Sequence, residues 1–178
     1  MQYTFTLDVK SKRFGYIITD IIVITFIFLI PSLSHLTAIP FYLFEPMRLA
    51  AIFCVINTNR TNSLVIAFVL PLVSFMISSH PELVKGIVIS LELIINVTLF
   101  YFLNKKLKNN FFVMLLSIIV AKLFYYTSKF SLISLGMLKG DLVSTPFWIQ
   151  SVIILLLSIY AVVAMKHKRE FQMGDNSF

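Results

Sequence analysis

Charged residues inside apolar segments are the feature of this sequence that could support chemistry. Five ionisable residues interrupt long apolar stretches, namely Glu45, Arg48, Lys85, Glu92 and Lys122. A charge in hydrocarbon costs about 2.5–3.5 kcal/mol on insertion scales, so such residues usually face a protein interior or a water-filled cavity. Their mixed signs favour a site for a polar or zwitterionic solute, such as one with a carboxylate or phosphate group.

The composition is that of an integral membrane protein. Of the 178 residues, 58% are hydrophobic and only 13% are charged, whereas soluble domains average about 25% charged residues. This length predicts a single membrane domain, residues 1–178, without a separate soluble domain. The net charge of +7 comes mostly from Lys and Arg between the apolar runs, so it indicates topology and not nucleic-acid binding.

Six apolar segments predict an all-α membrane protein, a bundle of six transmembrane helices in contact with the lipid bilayer. Each segment has about 17–23 residues, enough to cross about 30 Å of hydrocarbon at 1.5 Å per residue. Basic residues concentrate in the two terminal segments and in the second and fourth loops, which places both termini in the cytoplasm. The predicted spans are residues 14–34, 41–57, 61–79, 81–103, 111–130 and 146–165.

This topology places most of the intramembrane charges in the half of the bilayer opposite the cytoplasm. Glu45 and Arg48 are spaced i, i+3 and can pair on one helix face. An ion pair that only fixes helix packing explains these two residues equally well. Glu92 and Lys122 lie too deep to reach the interface easily, so either they pair with each other or they line a cavity.

The candidate substrate-binding residues come from four spans and one outer loop. A small-molecule site is expected to be an apolar, aromatic cavity with a few placed polar groups. Lys85 and Trp148 also suit an interfacial anchor and an aromatic belt, and His80 also suits an ordinary loop position. The candidates are Glu45, Arg48, His80, Lys85, Glu92, Asn96, Lys122 and Trp148.

Motifs of catalysis are missing from the sequence. It has no G-x-S-x-G, H-E-x-x-H or Walker A motif. Three His and one Cys at scattered positions do not predict a metal site. We therefore expect neither an enzyme nor a cofactor, and active transport would require an energised partner.

Two stretches of the chain resemble a known family. The segments HLTAIPFYLFEPMR (35–48) and SSHPELVKG (78–86), followed by Glu92 and Asn96, resemble the substrate-binding S components of energy-coupling factor (ECF) vitamin transporters. The resemblance implies capture of a vitamin or other micronutrient near the outer face of the bacterial plasma membrane, under a cap of outer loops. It also implies association with a transmembrane coupling protein and two cytoplasmic ATPases.

A second interpretation is a six-span membrane scaffold of an envelope or cell-shape complex, similar in size to the rod-shape protein MreD. Such a scaffold would use its buried charges to specify helix packing and its cytoplasmic loops to contact partners. The cytoplasmic turns predicted here are short, which argues mildly against a scaffold. Thermal stabilisation by a small molecule would distinguish the two functions.

Overall fold

The structure, a computed structural model, describes residues 2–78, 81–143 and 145–175 and contains no β-strand in these ranges. A short 3₁₀ turn, Phe41–Phe44, precedes the second helix. The helices are α1 (Gln2–Thr37), α2 (Pro46–Asn57), α3 (Arg60–Ser78), α4 (Leu83–Leu103), α5 (Asn110–Ser134) and α6 (Phe147–Asp175).

Five of the helices contain a segment that is long and apolar enough to cross a membrane. The all-helical prediction is thus confirmed for the described residues, and these apolar helices are those expected of an integral membrane protein. The placement of both termini in the cytoplasm stays a prediction. The five candidate spans are Arg13–Thr37, Arg60–Ser78, Leu83–Leu103, Asn110–Ser134 and Phe147–Lys168.

The second predicted span, residues 41–57, differs from the prediction because it is not one continuous helix. The 3₁₀ turn ends at Glu45, which has a left-handed conformation (φ 52°, ψ 53°), and α2 begins at Pro46. Proline disfavours a right-handed helical conformation at the residue before it, and its ring suits the first helical position. The 12 residues of α2 extend about 18 Å, short of about 30 Å of hydrocarbon.

The short helix α2 lies in the interior of the bundle. It packs against α1, α3, α4 and α6, and more than half of its residues are buried, including Arg48 and Cys54. Cys54 has the role of a small packing residue, as expected for a lone thiol in an apolar run. The longer helices instead surround α2 and expose many large apolar side chains, which suits contact with lipid.

The helices that follow α2 pack mostly on their neighbours in the chain. Helix α3 packs against α4, α4 against α5, and α5 against α6, as is usual for consecutive elements. Helix α1 packs on α2 and α3 through a stripe at helical spacing that includes Thr19, Val23 and Ile27. The contact between α2 and α6 brings the first and second halves of the chain together.

Core packing on α4 should matter more to stability than its lipid-facing side chains. Leu93 is buried in the main apolar cluster, whereas Leu91 is exposed. We expect Leu93→Ala to lower the free energy of unfolding by about 2 kcal/mol, since lipid reduces the transfer part of the loss but the cavity remains. Titration with sodium dodecyl sulfate in mixed micelles measures this difference, and Leu91→Ala is the matched control. Equal losses in the two variants would contradict the packing described here.

Candidate functional site

Four charged side chains form a connected network between α2, α4 and α5. Arg48 of α2 forms ion pairs with Glu92 of α4 and with Glu45, which directly precedes α2. Lys122 of α5 forms an ion pair with Glu45. The order of contacts is Lys122–Glu45–Arg48–Glu92, so two positive and two negative groups cancel in formal charge. We call these four residues the charge network.

Burial makes this pairing necessary. The exposed fractions are 3% for Arg48 and 5% for Glu92, whereas the side chains of Lys122 and Glu45 are partly buried, with 13% and 19% exposed. The effective penalty for taking an ion out of water is several kcal/mol, so a buried charge persists only when it is paired and hydrogen-bonded. The network therefore ties its helices together, since movement of one helix would leave a charge uncompensated.

The backbone conformation at Glu45 positions its own carboxylate and the guanidinium of Arg48. A left-handed conformation at a residue other than glycine costs about 1–3 kcal/mol and persists only where the surroundings hold it. Here the Glu45 carbonyl accepts hydrogen bonds from the amides of Arg48 (3.0 Å) and Leu49 (3.1 Å). The carboxylate of Glu45 contacts Lys122 and lies 3.0 Å, measured from Oε2, from Nε of Arg48.

One of the ion pairs expected from the sequence is present in the structure and another is not. The Glu45–Arg48 pair at i, i+3 spacing is confirmed. Glu92 and Lys122 do not pair with each other as one alternative proposed, because Glu92 pairs with Arg48 and Lys122 pairs with Glu45. Glu92 and Lys122 therefore belong to one network, through Arg48 of α2 and Glu45 just before it.

Gln150 extends the network to α6 and was not selected from the sequence. Its Oε1 accepts hydrogen bonds from Lys122 Nζ (3.1 Å) and from the Tyr126 hydroxyl (2.7 Å). Its Nε2 donates to the carbonyl of Thr145, 2.7 Å away, in the segment before α6. The i, i+4 spacing of Lys122 and Tyr126 on α5 was the signal for a shared polar partner, but it did not identify Gln150.

Asn96 lies one turn after Glu92 on α4 and makes a separate buried contact. Its Nδ2 donates to the hydroxyl oxygen of Ser117 at 3.3 Å, and that hydroxyl in turn donates to the carbonyl of Met114 at 2.8 Å. This pair joins α4 to α5 one helical turn beyond the charge network, toward the C-terminal end of α4. A direct part for Asn96 in solute binding stays a prediction.

The other three predicted residues are not joined to the network. Lys85 is half-buried near the start of α4, and its ammonium group forms no ion pair with the described residues. Trp148 is 70% exposed, as suits a residue of an aromatic belt. His80 lies outside the described residues. Their parts in binding remain predictions.

Arg48 has buried donor capacity for a further partner. Among the described residues, neither its Nη1 nor its Nε has a hydrogen-bond partner, and Oε2 of Glu45 accepts no hydrogen bond. Leaving a buried polar group unpaired costs about 1–3 kcal/mol, and more for a charged group. The contact between Arg48 Nε and Glu45 Oε2 is ionic without hydrogen-bond alignment. Arg48 could therefore donate to an added oxygen acceptor.

Two cavities were also found, and neither is lined by the charge network. One of about 450 Å³ lies between α4 and α5 and is mainly apolar. The other, of about 460 Å³, lies where α5 begins and includes two lysines. Among the described residues, no group of His, Cys, Asp or Glu side chains could hold a metal ion.

Comparisons of the chain with protein-family models, with curated proteins and with solved structures give no match. The described residues form an all-helical protein with five helices able to cross a membrane and a charge network in its interior.

Removal of one partner of the Arg48–Glu92 pair should destabilise the protein more than removal of both. In Glu92→Leu a buried positive charge is in excess, which costs about 3–5 kcal/mol. In R48M/E92L the Glu45–Lys122 pair remains as a neutral unit, so we expect most of the loss to be recovered. Unfolding by sodium dodecyl sulfate in mixed micelles gives the four free energies of this double-mutant cycle.

The control for the cycle is Glu82→Leu, which removes an exposed carboxylate just before α4. This change should alter the free energy of unfolding by no more than about 1 kcal/mol, the contribution of an exposed carboxylate at a helix N-terminus. A double variant whose loss equals the sum of the two single losses would show that Arg48 and Glu92 do not depend on each other.

Proposed function

We propose that this chain is the solute-binding subunit of a micronutrient or vitamin uptake transporter, with a role similar to that of an ECF S component. It captures a small polar solute from the side of the membrane opposite the cytoplasm. The observation that supports this proposal best is the charge network, in which the buried guanidinium of Arg48 retains an unpaired donor.

The chemistry of the network suits exchange of partners with a charged solute. A guanidinium is a planar fork that matches a carboxylate or phosphate in a two-point contact. A solute anion bound to Arg48 would replace Glu45 or Glu92, and a positive or donor group of the same solute would take the released carboxylate. Because the network is neutral, a zwitterionic solute can enter it without leaving a buried charge unpaired.

The segment between α1 and α2 supports an access route to Arg48. Two residues other than glycine have positive φ angles, Ala38 (56°) and Glu45 (52°), and they flank the 3₁₀ turn. Strained backbone of this kind is found at ligand clamps and switch regions. In the proposal this segment covers the site, and its movement would carry Glu45 away from Arg48 and Lys122 as the solute enters.

The proposal includes partners and a location. Both termini face the cytoplasm of a bacterial cell, six segments including the short α2 occupy the plasma membrane, and the lipid-facing helices leave surface for a transmembrane coupling protein. Energy for uptake comes from two cytoplasmic ATPases, because the chain has no nucleotide-binding motif of its own.

Thermal unfolding of the purified protein against a library of vitamins and related metabolites tests the proposal. A solute at 100 times its Kd adds about 2.7 kcal/mol of stability and raises Tm. We expect at least one charged or zwitterionic compound to do so, and we expect Arg48→Gln to abolish the shift. Lys139→Gln removes an exposed charge outside the network and should keep it. A shift that persists in Arg48→Gln would contradict this site.

The alternative function is the membrane scaffold, and one observation favours it. The four charges of the network pair with one another, so they are compensated without a solute and could serve only to specify helix packing. A library that gives no shift in Tm with well-folded wild-type protein would favour the scaffold over the solute-binding subunit.

A further inference from the structure

A second candidate site lies at the end of the bundle where α5 begins. An open cavity of about 460 Å³ is present between the loop after α4 and the second half of α6. The loop and the first residue of α5 contribute Lys108, Asn109 and Asn110, and α6 contributes Val162 and Lys166. The charge network does not line this cavity, so its ligand does not depend on solute binding at Arg48; its cytoplasmic position rests on the topology given under the proposed function.

The cavity lies at the ends of two candidate membrane spans, where the boundary between hydrocarbon and water is expected. Asn110 is the first residue of the candidate span Asn110–Ser134, and Lys166 is in the last turn of the candidate span Phe147–Lys168. Val162 is one turn before Lys166 and therefore lies on the same side of α6, toward the membrane interior. The polar end of a ligand in this cavity would contact the lysine ammonium groups, and its apolar part would contact Val162.

Two lysines from different elements give the cavity its positive charge. Both Lys108 and Lys166 are exposed, so each can turn its ammonium group toward a bound anion. Within the part of the chain that the structure describes, Lys166 has one ion pair, with the exposed Glu170 at 3.8 Å. A solvent-exposed i, i+4 pair at this distance contributes little, so it does not prevent Lys166 from binding a stronger anion.

We propose that this cavity binds the phosphate headgroup of an anionic membrane lipid. Basic pockets between transmembrane helices at the cytoplasmic boundary bind such headgroups. The two ammonium groups would pair with the lipid phosphate, the asparagine amides would donate to its polar atoms, and Val162 would contact the start of an acyl chain. A phosphatidylcholine headgroup fits less well because its choline cation adds a positive charge beside the two lysines.

Native mass spectrometry of the full-length protein in detergent tests this proposal. The protein is titrated with dioleoylphosphatidylglycerol, dioleoylphosphatidylcholine or inorganic phosphate, and bound lipid is counted. We expect a clear preference for phosphatidylglycerol, with affinity about 25-fold lower in K108Q/K166Q, from roughly fivefold for each lysine. The control K105Q/K106Q removes two exposed lysines of the same loop that do not line the cavity and should stay within about threefold of wild type.

Three results would overturn the assignment. Wild-type protein that binds phosphatidylcholine as tightly as phosphatidylglycerol would show that the headgroup charge is not recognised. Equal losses in the two double variants would indicate diffuse attraction to the basic loop and not a site in the cavity. Displacement of phosphatidylglycerol by inorganic phosphate at equal concentration would identify a free anion as the ligand.

Discussion

The pairing of Arg48 with two carboxylates is the interaction on which the centre of this structure depends. Its guanidinium is buried and contacts Glu45 on one side and Glu92 on the other. Because a buried cation is tolerated only with compensating charge, α2 must keep a fixed position relative to α4. Lys122 and Gln150 extend the same constraint to α5 and α6, so one polar network orients four helices.

The shape of α2 follows from this constraint. In a regular helix that began at residue 41, the carboxylate of Glu45 would not be directed toward Lys122. Instead Pro46 restarts the helix, Glu45 has a left-handed conformation, and its carboxylate contacts both basic residues of the network. The shorter helix that results is interior, while the five longer helices provide the lipid-facing surface. A site that binds solute and a packing device would both use this arrangement, and the unpaired Nη1 of Arg48 favours the binding site.

Most of the helices, but not the contacts of the site, could be predicted from the sequence. The thickness of hydrocarbon fixes the length of an apolar span, so five predicted spans have close counterparts in the structure. The Glu45–Arg48 pair followed from i, i+3 spacing. Spacing does not give the rotation of one helix relative to another, so the Glu92–Arg48 and Lys122–Glu45 pairs could not be distinguished from a Glu92–Lys122 pair. Gln150 was not selected because a single amide near the start of a helix forms no sequence pattern that predicts its partners. The helix break at Pro46 was not predicted because the apolar character of residues 41–57 favoured one continuous span.

We propose, above all, that Arg48 exchanges a carboxylate partner for a solute. The most direct measurement is the identification, by mass spectrometry, of small molecules released when purified wild-type and Arg48→Gln proteins are denatured. The account predicts an anionic or zwitterionic metabolite, near one per chain, released from wild type and missing from Arg48→Gln. The same metabolite in equal amount from both proteins would contradict it.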